Sequence, residues 1–418
     1  MLWRFCLYGF LKNQQYFEPF LVLAFLEKGL SFFQIGLLIA TREITINLFE
    51  IISGAVADVY GRRRAMITSF AAYIISFLAF GLATNLTLLF LAMFLFGIGE
   101  SFRTGTHKAM IFTWLRLQNR SDERTRVYGQ TRSWSKIGSA VSVVLAAMFV
   151  VLSNRFVTIF YFSIIPYALG IINFLSYPKE LDGTTERNFS ISRIVIHLKK
   201  SLLNTFQNHC LRKLVFESMG FEGIFRATKD YLQPILQTTA LLLGAQLTGI
   251  SLGKQQQTAL LVGPVFFLLY LLSATASRHA HRLVERVNGE DRAARFMWGL
   301  NFLVFTILVP AMWFNLHGLI IAGFVCLFVF QNFWRPILIS RFDTYCDENQ
   351  GATVLSVESQ AKSLATMFLA PVLGGLVDMV KQHELGGEFW PIGVIGAVVA
   401  LVFFVLAGSS RPAKSSNA

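Results

Sequence analysis

The chain has 418 residues, of which 54% are hydrophobic, 14% aromatic and only 15% charged. Soluble domains carry about a quarter of their residues as Asp, Glu, Lys or Arg, so this composition excludes an ordinary soluble fold and indicates a membrane protein. The formal net charge of +13 would suit a nucleic-acid binder, but the basic residues are spread over short segments between apolar stretches rather than gathered on one face.

A helix crossing the hydrocarbon core needs about 20 mostly apolar residues. Twelve such runs follow one another, at roughly 5–26, 32–57, 65–84, 86–115, 127–152, 156–177, 211–242, 255–277, 293–314, 317–341, 352–380 and 388–409. Run 1 is not a cleavable signal peptide. Lys12, Asn13, Gln14, Gln15 and Glu18 interrupt it where a signal is purely apolar, and no small-x-small cleavage site follows, so a permanent first helix is expected. Run 2 carries Arg42, then Glu43, Asn47, Glu50 and Gly54 at steps of four, three and four, one helical face. It ends in the short charged turn "GAVADVYGRRRAM", Gly54 to Met66.

Further along, run 4 places Glu100, Arg103 and His107 on one face, and run 5 has Arg132 and Lys136. Run 7 carries Glu222, Arg226 and Lys229, with Asp230 and Gln233 adjacent. Run 10 has Gln331, Asn332 and Arg335, and run 11 has Glu358 and Lys362. Runs 3, 6, 9 and 12 have almost no charge in their interiors. Charge in a bilayer core is costly, so the residues that carry it are expected to face the bundle interior or a watery cavity. Glu100–Arg103 and Glu222–Arg226 are either cavity groups or helix-internal ion pairs that only make burial tolerable. Lys136, Lys362 and His107 lie near run ends and are expected to snorkel to the surface. Glu18, beside Pro19 and without a cation on its own helical face, is the first candidate for a proton carrier or substrate contact, and Glu43 the second. A carboxylate in an apolar site holds its proton more tightly than in water and can cycle it as its surroundings alternate.

The four cysteines, Cys6, Cys210, Cys326 and Cys346, show neither metal spacing nor pairing and read as buried space-filling thiols. No Ser/His/Asp or Cys/His arrangement and no Gly-rich phosphate loop is present, so neither an enzyme nor a bound cofactor or metal is expected.

The loops sort by charge. Arg62, Arg63 and Arg64 follow run 2, Arg116, Arg120, Arg124 and Arg126 follow run 4, and Lys179, Arg187, Arg193, Lys199 and Lys200 follow run 6. Arg278, Arg282, Arg286, Arg292 and Arg295 follow run 8, and Arg411 and Lys414 follow run 12. The other loops offer Lys28, Arg155, Lys254 and Lys381. Short cytoplasmic loops gather Lys and Arg, so both termini and the even-numbered loops are expected on the cytoplasmic side of the cell membrane.

The polar stretch near 179–210 divides the runs six and six, giving expected bundles at 1–178 and 211–418 joined by a cytoplasmic linker. The halves echo each other. Gln15-Tyr16-Phe17-Glu18-Pro19 in run 1 matches Asp230-Tyr231-Leu232-Gln233-Pro234 in run 7, and Asp122-Glu123 with Lys136 around run 5 matches Asp347-Glu348 with Lys362 around run 11. Such echoes point to parallel internal repeats.

The spacing Gly54-x-x-x-Asp58-x-x-Gly61-Arg62-Arg63 resembles the signature turn of the major facilitator superfamily, Gly-x-x-x-Asp-Arg-x-Gly-Arg-Arg/Lys, at the same place after the second helix. The resemblance extends to the twelve runs and their six-plus-six split. It implies an all-α membrane fold of two pseudo-symmetric six-helix bundles, acting as a carrier of a small solute. A monomer is expected, and proton coupling is expected from the carboxylates Glu18 and Glu43, although Arg103 stands late in run 4 where the family's proton-coupled members often carry an Arg early. It further implies that Gly54, Asp58, Gly61, Arg62 and Arg63 form a cytoplasmic latch, Asp58 meeting the start of the eleventh helix. Val59 stands where the family often has Arg, and the equivalent turn after run 8 keeps Arg278, His281 and Arg282 without the Gly/Asp/Gly frame. By the same resemblance helices 1, 4, 7 and 10 line a central cavity, completed by 2, 5, 8 and 11. The candidate substrate or proton pathway is then Lys12, Gln15, Glu18, Arg42, Glu43, Asn47, Glu50, Glu100, Arg103, Glu222, Arg226, Asp230, Arg335 and Glu358. Charges of both signs suit a polar or charged organic metabolite. The alternative is export of amphipathic compounds, with Trp134 and Trp334 as stacking surfaces. The partners expected are the solute, protons and the lipid bilayer, not nucleic acid.

Overall fold

The computed structural model describes residues 1–103, 106–182, 207–246, 252–345 and 351–408. The described elements are all helical: α1 (Leu2–Lys12), α2 (Leu21–Glu27), α3 (Phe32–Tyr60), α4 (Arg62–Leu82), α5 (Leu86–Arg103), α6 (Thr106–Leu117), α7 (Arg124–Ser153), α8 (Thr158–Leu175), α9 (His209–Thr228), α10 (Leu232–Gln246), α11 (Lys254–Arg286), α12 (Glu290–Trp313), α13 (His317–Tyr345), α14 (Gly351–Gln382) and α15 (Trp390–Gly408). Among the described residues nine helical stretches are long and apolar enough to cross a membrane, and Trp390–Leu406 is a shorter apolar one.

Runs 1 and 7 are not continuous helices. In run 1, α1 stops at Lys12, Glu18–Phe20 makes a single 3-10 turn, and α2 starts at Leu21. Pro19 explains the interruption, because its ring displaces the carbonyl four residues back and it has no N–H to donate. Short-range bonds replace the helical ladder there, Glu18 N–H to the Gln15 carbonyl (3.0 Å) and Phe20 N–H to the Phe17 carbonyl (3.1 Å). In run 7 a 3-10 turn at Lys229–Tyr231 separates α9 from α10, and Pro234 sits in the first turn of α10, where a proline is tolerated. The two breaks fall on the two sequences that echo each other.

The chain divides into two compact units, Met1–Lys199 with Gln233–Tyr270, and Lys200–Leu232 with Leu271–Ala418. Most of α10 and the first half of α11 therefore pack with the first six runs. Most of the 179–210 linker lies outside the described residues.

In the first unit, packing rests on aromatic rings and close backbone approach, since lipid supplies no hydrophobic drive between helices. Tyr73 stacks on Phe77 at 6.0 Å, and Phe77 meets Tyr167 edge-on at 5.2 Å. α1 and α7 touch through glycine. A Cβ on Gly9 would lie 2.7 Å from the Thr131 carbonyl oxygen, and one on Gly138 2.6 Å from that of Phe10. Beside them Asn13 Nδ2 donates to Ser139 Oγ (2.7 Å) and Gln14 Nε2 to the Gly138 carbonyl (3.1 Å). The second unit is built on Phe221 stacked against Trp334 (4.2 Å, 4°) and Trp298 against Phe403 (4.9 Å, 15°). Large exposed apolar side chains such as Leu152, Leu175, Phe368 and Val405 suit a lipid-facing surface.

The charged turn after α3 is held in an unforeseen way. Gly61 has φ +99°, a conformation that favours glycine, and lets α4 begin at Arg62. Asp182, just after run 6, accepts a hydrogen bond from the Arg63 backbone N–H (2.7 Å). It caps α4 from across the fold and places a carboxylate at the positive end of that helix. Arg63 Nη1 also donates to the Tyr177 carbonyl (3.1 Å), and Arg62 Nη1 to Thr113 Oγ1 (2.8 Å). Gly54 has no side chain and could admit a close helix approach, but among the described residues nothing lies within 4 Å of a Cβ built on it. The Asp58 side chain lies outside the described residues.

Candidate functional site

The break in run 1 is bridged by a side chain from the equivalent break in run 7. Gln233 Nε2 donates to the Glu18 carbonyl (2.9 Å) while Gln233 Oε1 accepts the Val22 N–H (2.9 Å). Glu18 and Val22 are four residues apart, the pair an uninterrupted helix would bond directly. The amide of Gln233, fully buried, thus stands in for a missing rung. Glu18 and Gln233 hold the same place in the two echoing sequences, so the contact joins repeat-related residues. Tyr270 Oη donates to Glu18 Oε2 (2.7 Å), and Gln15 supplies the carbonyl that starts the turn. At the ends of these helices Gln256 Nε2 donates to the Val151 carbonyl (2.9 Å), and Glu27 accepts the Val157 N–H (2.8 Å).

A second cluster lies within the first unit. Glu100 and Arg103 form an ion pair on α5, and the Tyr73 hydroxyl donates to Glu100. Arg103 then faces a cavity of about 510 Å³ among α1, α5, α6 and α7, which is also lined by Lys12, His107, Lys108, Arg132 and Lys136. Asn13, Thr131 and Ser135 add neutral polar groups to its wall. Glu18, Arg42, Glu43 and Glu50 do not line it. On α3 Arg42 pairs with its neighbour Glu43 (2.8 Å), which is buried, and Asn47 Nδ2 donates to the Glu43 carbonyl (3.1 Å). Glu50 is half-buried on the same helix. His107 does not snorkel. It is buried, stacked on Tyr8 (3.7 Å), and within hydrogen-bonding distance of Tyr177 Oη (3.2 Å).

In the second unit Glu358 of α14 is fully buried and accepts from Arg335 of α13 (2.7 Å), from Lys362 (3.3 Å) and from the Ser218 hydroxyl of α9. The snorkelling expected of Lys362 is therefore corrected, since its four-residue spacing from Glu358 holds it inside as an ion pair. Glu222 accepts weakly from Gln331 Nε2 (3.3 Å), with Arg226 half-buried one turn further along α9. Asp230, in the break, pairs with Lys229 (3.4 Å). Trp334 is fully buried against Phe221, so it offers no face for stacking a ligand. Cys6 is buried, but Cys210 is exposed at the start of α9 and Cys326 half-buried, correcting the expectation of uniformly buried thiols; Cys346 lies outside the described residues. No group of three or more potential metal ligands occurs among the described residues.

Sequence reasoning passed over a network that runs from buried Glu217 and Arg341 out to exposed Asp291. Arg341 donates to Glu217 of α9 (2.6 Å) and to Asp291 of α12 (2.8 Å), and Tyr345 Oη donates to Asp291 (2.8 Å). Glu217 lies one turn before Phe221 on an apolar face, and a lone carboxylate there was the available signal. Asp182 and Tyr270 carried no signal, because their partners lie more than a hundred residues away.

Residues 13–370 match the profile of the Major Facilitator Superfamily. Over 99 residues the chain is 31% identical to the uncharacterized MFS-type transporter YxaM of Bacillus subtilis (strain 168), a match spanning 24% of this chain and about a quarter of that relative's length. Among solved structures it resembles a mutant form of the nucleoside transporter NupG, with TM-score 0.79 at 14% identity, covering 97% of this chain and 98% of that one. It also resembles a POT family transporter in complex with a thioalcohol-conjugated peptide, with TM-score 0.67 at 16% identity, covering 97% and 96%. At these identities the likeness speaks for the fold alone, but the profile covers well over half of the sequence and agrees with the charged turn, the all-helical build and the paired helix breaks: the chain belongs to the Major Facilitator Superfamily.

Proposed function

We propose that the protein is a secondary active transporter that moves a small polar or charged organic solute by alternating access, coupled to protons, in the cell membrane with both termini cytoplasmic. One observation carries this reading: two helices are broken at equivalent places, and ionisable residues stand in both breaks, Glu18 in one and Asp230 in the other. Discontinuous helices of this kind form substrate and ion sites near the midplane in secondary transporters, because unwound backbone is tolerated there only beside a cavity or buried in protein. A bridge of two hydrogen bonds through Gln233 is short enough to break and re-form as α10 and α11 move. Glu18 leaves Tyr270 when it does, and its carboxylate then meets a different medium on each side of the cycle. Asp58, in the last turn of α3, is the residue that latches the cytoplasmic side on this reading. The names of the similar structures, a nucleoside transporter and a peptide carrier, fit a small polar cargo.

Reconstitution into liposomes tests the coupling. Uptake of the solute driven by a pH gradient should be lost in Glu18→Gln, while exchange of solute for solute continues. Gradient-driven uptake that survives the substitution removes Glu18 as the coupling group.

A second reading, export of amphipathic compounds, has one feature in its favour. Trp3 and Trp134, in edge contact at 5.4 Å, line an apolar cavity of about 330 Å³ with Leu2 and Cys6. Unchanged drug susceptibility in a strain lacking the protein counts against it.

A further inference from the structure

We infer that the cavity among α1, α5, α6 and α7 binds an organic anion carrying two or more negative charges, of the phosphate-ester or polycarboxylate class. The inference rests on the transport reading above and names the substrate class for it.

Five cations line this one hollow, Lys12, Arg103, Lys108, Arg132 and Lys136, and no carboxylate does. Arg103 is balanced by Glu100 behind the wall. Among the described residues the other four make no ion pair with any carboxylate. Three of them rest against aromatic faces instead: Lys12 over Tyr8 (5.6 Å), Lys108 over Tyr128 (5.5 Å) and Arg132 over Tyr128 (6.0 Å). Such contacts orient a cation without neutralising it. A purely structural cluster would be expected to bring its own counter-charge, as Glu358 does for Arg335 and Lys362 in the second unit. Nor is helix anchoring enough, because lysines that snorkel spread around a helix end toward lipid headgroups, whereas these converge from three helices and the end of a fourth on a shared space.

A cleft lined by one sign of charge focuses its field and concentrates counter-ions. A neutral solute would leave four cations repelling each other, and a single carboxylate would offset only one. A phosphate or dicarboxylate presents several strong acceptor oxygens, each able to take charge-assisted bonds from Lys and bidentate ones from Arg. The hydroxyls of Thr131 and Ser135 and the amide of Asn13 remain for the uncharged part of the molecule. The volume, about 510 Å³, suits a small metabolite.

Thermal unfolding of the full-length protein in detergent tests this with probes matched in shape and differing in charge: glycerol 3-phosphate against glycerol, and succinate against succinamide and 1,4-diaminobutane. The anions should raise the unfolding temperature, less so at higher salt, and the alcohol, amide and amine should not. Arg132→Gln and Lys136→Gln, both at exposed positions, should fold normally and weaken anion binding about ten- to a hundredfold, while Lys136→Arg retains most of it. Equal stabilisation by the neutral or cationic probes, no stabilisation by any anion, or unchanged affinity in both glutamine variants overturns the inference. Flux in liposomes separates this failure from that of the transport reading. Amine flux indifferent to Lys136→Gln leaves a carrier without an anion site, and anion binding without any flux leaves the site without a carrier.

Discussion

Gln233→Leu is the sharpest perturbation the structure offers. The leucine keeps the bulk of the side chain and removes both hydrogen bonds that span the break in run 1. Gln233 is fully buried and Val22 nearly so, so the Val22 N–H and the Glu18 carbonyl would be stranded away from water. Each orphaned buried group costs about 1–3 kcal/mol, or about 2–6 kcal/mol for the two. On the alternating-access reading proposed above, the bridge exists only while α10 packs on run 1, and in the opposite conformation both groups would meet water. The loss therefore falls on one conformation and shifts the ratio of the two by about thirtyfold at the low end of that range. Spin labels at Arg155 and Lys254, exposed residues flanking the contact between Asn154 and Gly253, would read the separation directly. The distance distribution should move from short to long in Gln233→Leu. In Gln233→Glu it should return toward short as pH falls, since only the protonated acid donates to the Glu18 carbonyl. An unchanged distribution in the leucine variant, with an unchanged unfolding temperature, would show that the bridge carries no conformational energy.

Two further outcomes follow from the buried charges and the capped turn. Arg341→Met leaves buried Glu217 with only its longer contact to Lys213 (3.9 Å) and should lower stability by about 3 kcal/mol, whereas Arg341→Met with Glu217→Leu should recover most of that in thermal unfolding. An equal loss in the double variant would mean the pair is not what the single variant disturbs. Asp182→Ala removes the distant cap on α4 and should cost about 0.5–2 kcal/mol, seen as faster amide exchange at Arg62 to Ala65 and not elsewhere.

Much of the fold was legible in the chain because its signals are local. A span is set by about 20 apolar residues, so each of the twelve runs reappears as one helix or as two helical segments of the structure. Pro19 accounts for the break in run 1, where a continuous helix is expected from the sequence, whereas Pro234 follows the break in run 7; a proline's effect on the rung four residues back depends on whether a neighbour can supply the missing bond. The ion pair of Glu100 with Arg103 needed only helical spacing, three residues apart, to be foreseen as one of two readings. Lys362 was misjudged for the opposite reason. Its spacing from Glu358 was visible, but whether the pair points to lipid headgroups or to Ser218 and Arg335 on other helices is a matter of which faces meet.

The amino-acid order by itself determined which segments are helical, where charge lies along each of them, and that a glycine-bearing basic turn closes the second, since all of these depend on neighbours within a turn or two. Only the tertiary structure decided that Gln233 completes a rung 211 residues earlier in the chain, that Asp182 caps the basic turn, and that five cations from four helices share one hollow. Helical periodicity orders the residues of a face but leaves open its rotation about the axis relative to distant helices. That rotation is set by the packing of glycines and aromatic rings between helices, which no single segment contains.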